Sequence, residues 1–276
     1  MVRKLWFVII GTSLVGVVVF AIGIIQAFQV TVLNQTDISN DNGQNLQAIE
    51  NNKQVDFRNR EDVINIAVMG DSIARGTGDQ SGYGLTKELV NVLQEQGIET
   101  EVKNIAVDGY VSEELLELIQ LEANQELLKN TDIAIISIGG NDLRGLLRRD
   151  GTFLEPSGFQ GRLSEYIYNL ELTLQAIRDK NEDCHIVLVG LYNPFNDFLM
   201  EMMMLDTEYM DYFLEWNYQA QRLIEQDKLA IYLPTYDLFK WNTEQYISYD
   251  NIHPNAEGYQ AISKRLANYF RSAIGL

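Results

Sequence analysis

The chain has 276 residues, of which 46% are hydrophobic and 22% are charged, so it is long and apolar enough to bury a full core. Lysine and arginine total 21 against 39 aspartate and glutamate residues, and this net charge of -18 argues against a nucleic-acid partner. One cysteine excludes an intramolecular disulfide and a Cys-x-x-Cys zinc or redox site, and two histidines leave little for a histidine-rich metal cage.

The first predicted element is a membrane anchor over residues 1–28. Leu5 to Phe28 carries no charge and would span roughly 36 Å as a helix, which is enough to cross a bilayer. A cleaved secretory signal is the alternative, but its apolar region is about 7 to 15 residues long, and only Ile25-Gln26-Ala27 resembles a cleavage site. Because Arg3 and Lys4 precede the span, we expect a single-pass protein with a cytoplasmic amino terminus and an extracellular body.

A polar linker is predicted next, over residues 29–61. This segment is rich in asparagine, glutamine and aspartate and shows no sustained period of 2 or 3.6 residues. One folded domain is then expected over residues 62–276. Anionic lipid repels so acidic a domain, and the anchor is therefore expected to hold it at the membrane.

Short apolar runs alternate with stretches of helical period throughout the predicted domain. The pattern predicts strands at 63–69, 102–107, 133–138, 185–189 and 230–233, and the second of these is polar enough to lie near a sheet edge. Between and after them it predicts helices at 85–96, 113–129 and 256–273, a long helix whose apolar residues run from Leu163 to Ile177, and another helix between 206 and 226. Asn255 is expected to cap the last helix.

Five strands separated by helices predict a parallel sheet covered on both faces, that is, a flavodoxin-like three-layer αβα sandwich. Ligands of such sheets bind beyond the carboxyl ends of the strands. Glycine-containing turns follow the first three strands, at Gly70, Gly109 and Gly139, and all of them open at that edge. We therefore expect the functional site there.

Ser72 follows the first strand in the run Gly-Asp-Ser-Ile-Ala-Arg-Gly. Taken alone, a serine in a glycine-flanked turn is usually a cap or turn residue. The run lacks the closing Gly-Lys-Ser/Thr of a P-loop, and Ser81 stands where a dinucleotide fingerprint would need its last glycine. The nucleophile elbow Gly-x-Ser-x-Gly is also incomplete, because Ala74 stands where its last glycine would be.

Asp250 precedes His253 by three residues in the turn that opens the last helix. From this position the carboxylate can accept the Nδ1–H of the imidazole, which leaves Nε2 free to take a proton from a serine hydroxyl. An Asx-type turn with a solvated histidine is the alternative. The other histidine, His185, begins an apolar strand beside Cys184 and is expected in or beside the core.

The third strand ends in Gly-Gly-Asn-Asp, in which Asn141 offers a side-chain amide to a developing oxyanion. Ser72, the Gly109 turn, Asn141 and the Asp-x-x-His turn all map to one edge of the predicted sheet. A nucleophile, a base, an orienting carboxylate and oxyanion donors are therefore all available there.

Residues 62–275 resemble the SGNH hydrolases, also called the GDSL esterase and lipase family, whose four marker segments occur here in order. Ser72 matches the family's nucleophile and His253 its base. Gly109 matches the glycine of the second segment, and Asn141 matches the asparagine of the third. The resemblance implies that Asp250 completes the triad and that the oxyanion hole consists of the backbone N–H groups of Ser72 and Gly109 and the side-chain amide of Asn141. Ile73 departs from the leucine of the family name.

We therefore expect a cofactor-free and metal-free serine hydrolase that cleaves small-molecule or polymer-linked esters by two-step acyl transfer. An acetyl esterase of cell-wall or secreted polysaccharide is one alternative, and a non-catalytic surface binding module on the same fold is another. Residues 191–226 are rich in methionine and aromatic residues and form either a lid over an acyl-chain groove or ordinary helix core.

Overall fold

A computed structural model describes residues 63–145, 156–195 and 207–273. The predicted membrane anchor at 1–28 and the polar linker at 29–61 lie outside these residues. Within the described ranges, no helix combines the length and the apolar character that crossing a membrane requires.

Five parallel strands form one sheet. They are β1 (Ile64–Gly70), β2 (Thr100–Asn104), β3 (Ile133–Ser137), β4 (His185–Val189) and β5 (Ala230–Leu233), in the order β2-β1-β3-β4-β5. This is the strand order of flavodoxin-like sheets, in which the winding reverses between β1 and β3. The predicted five-stranded parallel sheet is confirmed, and the polar strand β2 lies at its edge.

Helices follow the strands along the described chain. They are α1 (Ser72–Arg75), α2 (Lys87–Glu95), α3 (Ser112–Gln120), α4 (Glu122–Lys129), α5 (Gly140–Arg144), α6 (Pro156–Lys180), α7 (Thr207–Ile224), α8 (Tyr236–Lys240), α9 (Thr243–Tyr246) and α10 (Ala256–Ala273).

Each face of the sheet buries its own apolar cluster, because successive strand residues point to opposite faces. Ala67 and Met69 of β1 pack on one face with α3, α4, α6 and α7. Ile66 and Val68 pack on the other face with α2, α8 and α10. Burying one large apolar side chain contributes roughly 1.5–3 kcal/mol to folding, so these two clusters hold helices on both sides of the sheet.

Several predicted elements have bounds shifted by one or two residues, and two differ in ways that local hydrogen bonds explain. The single helix expected over 113–129 is two helices, because Leu121 has an extended backbone (φ -62°, ψ 137°) and the Asn124 side chain donates to the Leu118 carbonyl at 2.7 Å. Strand β2 ends at Asn104, where the side-chain oxygen accepts the Ala106 N–H at 3.0 Å and closes a local turn.

The last helix, α10, begins and ends where the sequence predicts. The Asn255 side-chain oxygen accepts the N–H of Gly258 at 3.1 Å and so satisfies one of the donors that a helix start leaves open. Three of the four side chains predicted to face inward are buried, and the fourth, Tyr269, is half-buried. This packing fixes the turn immediately before α10, which carries His253.

Candidate active site

Ser72 is the first residue of α1 and lies half-buried at the carboxyl edge of the sheet. The residue before it sets this position: the Asp71 N–H donates to the Ser137 carbonyl of β3 at 2.9 Å, and the Asp71 carboxylate caps α1 by accepting the Ile73 N–H at 3.0 Å. The backbone N–H of a first helical residue has no acceptor within its own helix. It can therefore be donated to a bound group.

Asp71 is buried directly behind this serine. Its burial raises the pKa of the carboxyl to about 7, although the backbone N–H groups of Ile73 and Ala74 favour the ionised form. The neighbouring negative charge of Asp142 raises the pKa further. Asp71 therefore has the role of a helix cap that holds the Ser72 turn.

His253 lies on a tight turn that ends just before α10. The Ser248 N–H donates to the His253 carbonyl at 2.8 Å and closes the turn. Asn251, at φ 61°, is the one non-glycine residue with a positive φ in the described part of the chain. Outside the turn, the Tyr192 hydroxyl at the end of β4 donates to the Ile252 carbonyl at 2.7 Å and ties the turn to the sheet.

Ser72, His253 and Asp250 form a continuous hydrogen-bonded chain. The distance from Ser72 Oγ to His253 Nε2 is 2.8 Å, and the distance from His253 Nδ1 to Asp250 Oδ2 is 2.6 Å. With Nδ1–H donated to the carboxylate, Nε2 presents a lone pair to the serine hydroxyl. The structure thus brings together three of the residues that the sequence predicts for the site.

The Asp250 carboxylate is held by more than the imidazole. Its Oδ1 accepts the Ser248 hydroxyl at 2.7 Å and the backbone N–H groups of Ile252 and His253 at 3.0 and 2.9 Å. Partial burial opposes ionisation of Asp250, but these hydrogen bonds and that of the His253 ring outweigh it and hold the pKa well below its usual range. Asp250 is therefore ionised wherever the imidazole is neutral.

Two close contacts join the nucleophile segment to the base segment. The Tyr259 hydroxyl of α10 donates to the Thr77 carbonyl at 2.9 Å. Gly78 has φ 91°, and a Cβ atom there would lie 2.5 Å from the Pro254 carbonyl oxygen and 2.8 Å from the Cβ of His253. The absence of a side chain at Gly78 therefore allows the two segments to approach to hydrogen-bonding distance.

The two further residues predicted for an oxyanion hole lie on segments that touch each other. Gly109 is exposed in the turn after β2, and Asn141 is half-buried in α5 after β3. The Asn141 side-chain amide donates one N–H to the Tyr110 carbonyl at 2.9 Å. Because a primary amide carries two N–H hydrogens, a second remains for another acceptor.

His185, predicted to lie in or beside the core, is far from the site. His185 begins β4, at the amino end of the sheet and thus opposite to Ser72. Cys184 is buried, and burial raises the pKa of its thiol to about 12, so it is a poor nucleophile. Among residues 63–145, 156–195 and 207–273, no three histidine, cysteine or acidic side chains gather as metal ligands would.

The methionine-rich stretch at 191–226 is described only in part, because residues 196–206 lie outside the described ranges. In the described part of α7, Tyr209, Phe213 and Trp216 are buried in the cluster that covers one face of the sheet. This part is helix core.

Gly78, Ser248, Tyr192 and Asp142 also support the site and were not predicted from the sequence. Of these, only Ser248 carries a local signal, since a serine two residues before an aspartate in a turn is a common hydrogen-bonding pattern. The contacts of Gly78 and Tyr192 join segments far apart in the chain. No local pattern indicates them.

Comparison with known proteins gives consistent matches. The sequence profile of the GDSL-like lipase/acylhydrolase family matches residues 68–261. A Bacillus subtilis protein described as uncharacterized protein YpmR is 32% identical over 218 residues, which are 78% of this chain and 84% of that protein. The spore germination lipase LipC of Bacillus licheniformis is 26% identical over 212 residues, 74% of this chain and 94% of LipC. The solved structure of the lipase Lip_vut3 from a goat rumen metagenome shares the fold, with a TM-score of 0.64 at 22% identity over 76% of this chain and 97% of its own.

Proposed function

The chain belongs to the GDSL-like lipase/acylhydrolase family of ester-cleaving hydrolases, and on this basis we propose that Ser72, His253 and Asp250 hydrolyse a carboxylic ester through an acyl-enzyme intermediate. The observation that carries the proposal is the chain of 2.8 and 2.6 Å hydrogen bonds from the Ser72 hydroxyl through the His253 ring to Asp250. This is the arrangement that activates a serine by an adjacent, oriented base.

In the first step, Ser72 Oγ attacks the ester carbonyl carbon while His253 Nε2 accepts the hydroxyl proton. Negative charge then develops on the former carbonyl oxygen. The backbone N–H groups of Ser72 and Gly109 and the second N–H of the Asn141 amide are the donors for this charge. His253 returns the proton to the leaving alkoxide, the C–O bond breaks, and an alcohol departs.

The second step repeats the first with water as the nucleophile. His253 takes a proton from the water as it attacks the acyl carbon, and then returns that proton to Ser72 Oγ as the carboxylic acid leaves. Ionised Asp250 stabilises the imidazolium that forms in both steps. Because a protonated imidazole cannot accept a proton, activity falls at acidic pH.

A fluorophosphonate probe and a chromogenic short-chain ester test the proposal on the purified full chain. Ser72→Ala removes the nucleophile, so both labelling and nearly all turnover are expected to disappear. Ser164→Ala is the matched control, because the Ser164 hydroxyl bonds only a carbonyl one turn back on α6, at 2.8 Å to Gln160, and both signals are expected to persist. Labelling that survives in Ser72→Ala would contradict the assignment of the nucleophile.

The same preparation identifies the class of ester by its acyl chain-length profile. Preference for long acyl chains indicates a lipase, and strict preference for acetyl groups indicates the acetyl esterase of a polysaccharide. A wild-type chain with no labelling at all indicates the non-catalytic binding module. The ester class is thus read from turnover, independently of the nucleophile assignment.

We also propose that the enzyme acts at the outer face of the cell membrane, anchored by residues 1–28. The support is the uncharged run from Leu5 to Phe28 and the two basic residues, Arg3 and Lys4, that precede it.

A further inference from the structure

Resting on the proposed function, we propose that Asp142 is a positioning residue for the oxyanion hole, and that its carboxylate locks the turn carrying Gly109 against the helix carrying Asn141. Gly109 donates through its backbone, so its contribution depends on where the turn lies. The question is which contacts hold that turn in place.

Consecutive residues of α5 bind the two sides of this turn. Asn141 donates its side-chain N–H to the Tyr110 carbonyl at 2.9 Å. The Asp142 carboxylate accepts the Ser112 N–H at 3.1 Å and the Ser112 hydroxyl at 2.6 Å. Ser112 is the first residue of α3, so Asp142 also caps this helix from outside. The backbone from Gly109 to Ser112 is therefore bonded to α5 on both sides of Val111.

The half-buried Asp142 carboxylate is bonded to a buried pair of side chains. Ser112 is 1% exposed and Asn169 of α6 is 7% exposed. The Asn169 side-chain amide donates to the Ser112 hydroxyl oxygen at 3.1 Å, while that hydroxyl donates its own proton to Asp142. Asn169 and Asp142 thus bind the Ser112 hydroxyl from two sides, and such a connected network favours one arrangement of the three side chains.

A second set of contacts holds the other end of the turn, but it is exposed. The Asp108 carboxylate accepts the Thr77 hydroxyl at 2.6 Å and lies 3.4 Å from the Arg75 guanidinium. The two charged side chains are 51% and 57% exposed. Because exposed ion pairs hold a geometry weakly, the Asp142 network and the backbone hydrogen bond from the Val107 N–H to the Gly70 carbonyl at 3.0 Å provide most of the constraint on the turn.

Preorganisation explains why this matters for the reaction. An oxyanion hole accelerates acyl transfer because its donors are already aimed at the developing charge. A misplacement of about 1 Å can cost on the order of 100-fold in rate. Both carboxylate oxygens of Asp142 lie 3.1 Å from the Ser112 nitrogen. Asp142→Asn removes the negative charge and places an NH₂ group opposite the Ser112 N–H, so the hold on the turn is weakened.

The test compares Asp142→Asn with Asp132→Asn in the full-length chain. Asp132 is the matched control, since its carboxylate also accepts a backbone N–H, that of Asn65 at 2.9 Å, but at the amino end of the sheet. The measurements are kcat and KM on a chromogenic short-chain ester, the inhibition constant of an alkyl boronic acid that mimics the tetrahedral state, and the midpoint of thermal unfolding. Asn141→Ala serves as the reference for loss of one donor, with kcat lowered about 100-fold or more.

For Asp142→Asn we expect kcat to fall about 10- to 100-fold with KM within about twofold of wild type, and boronate binding to weaken by a similar factor. Asp132→Asn is expected to lower the unfolding midpoint comparably while leaving kcat and boronate binding near wild type. This split separates positioning of the hole from general loss of stability.

Equal kcat and boronate binding in Asp142→Asn and Asp132→Asn, with Ser72 still labelled, would overturn the inference and leave the proposed function intact. If the wild type itself shows no Ser72-dependent turnover, both fail. Should Asp142→Asn not fold, Ser112→Ala decides the question, because it removes one of the hydrogen bonds to Asp142. A kcat and a boronate affinity that are both lowered about 10-fold in Ser112→Ala, with KM near that of wild type, support the inference. An unchanged kcat overturns it.

Discussion

The surroundings of two carboxyl groups near Ser72 shift their pKa values in opposite directions. Burial raises the pKa of Asp71 to about 7, because the loss of water outweighs the backbone N–H groups that favour the ionised form. Asp250 is also partly desolvated, but hydrogen bonds from the His253 ring and backbone and from Ser248 hold its pKa well below the usual range. The carboxyl beneath the nucleophile thus favours the neutral form, while the one behind the base stays charged.

The raised pKa of Asp71 predicts a stability effect with a definite sign. In the unfolded chain this group loses its proton near pH 4, and in the folded chain only near 7. The folded state therefore binds more protons between these values, so the stability from neutral Asp71 is present below pH 4 and is lost as pH rises through 7. Asp71→Asn is neutral at every pH and escapes this loss.

We therefore expect Asp71→Asn to become more stable relative to wild type as pH rises. The measurement is the free energy of unfolding of both proteins by urea denaturation. Between pH 4.5 and pH 8 we expect the difference between the two proteins to grow by about 2–3 kcal/mol. Ionisation of groups that do not interact with Asp71 contributes equally to both proteins and cancels in this difference. A difference that stays constant over the range would contradict the neutral, buried state of Asp71.

At the scale of single residues, sequence analysis succeeds where chemistry depends on local spacing. Asp250 and His253 are three residues apart, and a turn alone brings the carboxylate to Nδ1. The sequence does not indicate the contacts of Tyr192 or Ser112, because their partners lie 60 and 30 residues away in the chain. Such contacts depend on how the elements pack, which no pattern within one element specifies.

Between elements, the approach of the Gly78 segment to the turn before α10 makes a sharp test possible. Gly78 and Gly82 both have positive φ, 91° and 66°, so alanine strains the backbone at either position. Only at Gly78 would the new Cβ collide, at 2.5 Å from the Pro254 carbonyl oxygen, whereas at Gly82 it meets nothing within 4 Å. Gly82→Ala is therefore the control for strain alone.

We expect Gly78→Ala to move the His253 turn away from Ser72 and to lower kcat about 10- to 100-fold, since proton transfer depends on a distance of 2.8 Å. Gly82→Ala should keep kcat within about twofold while losing about 1 kcal/mol of stability. Steady-state kinetics and thermal unfolding measure the two effects. If both variants have the same kcat, the close approach at Gly78 has no part in holding the base.

The elements themselves were predicted best where burial dominates. Strands β4 and β5 and helix α10 have the predicted bounds, because short uninterrupted apolar runs and a capped amphipathic helix define them. The short helices α1 and α5 were not predicted, since four or five residues show no period. The break between α3 and α4 at Leu121 was not predicted, because it involves neither glycine nor proline and depends on one side-chain hydrogen bond from Asn124.

For the whole molecule, the proposed membrane anchor predicts where the activity is found. Ester hydrolysis that depends on Ser72 should sediment with membranes, resist carbonate washing and dissolve only in detergent. External protease should remove it from intact cells. Val17→Lys with Val18→Lys is the matched variant, because two charges at the centre of the span cost about 5–7 kcal/mol of insertion free energy, and its activity should leave the membrane fraction.

Two results would contradict this topology. Release of a shortened wild-type domain into the medium would indicate a cleaved signal instead of an anchor. Protease resistance in intact cells, together with membrane association, would place the body of the chain inside. Neither result bears on the chemistry at Ser72.

The fold as a whole explains how a site could be predicted from residues so far apart. Ser72 and His253 are separated by 181 positions, yet Ser72 follows β1 directly, and His253, between β5 and α10, lies beside it at the carboxyl edge of the sheet. The topology therefore brings them to the same edge. It does not set the last few ångströms, which come from Gly78, Tyr259 and Tyr192.

The late position of His253 also has a consequence for biosynthesis. A ribosome makes the Ser72 turn and both oxyanion segments well before it reaches the base, and at about 5–20 residues per second the interval of 181 residues lasts roughly 10–40 s. On the proposed mechanism, a nascent chain in that interval has a hydroxyl but no proton acceptor for it. The protein therefore cannot cleave esters during its own translation, and any product truncated before His253 is inert.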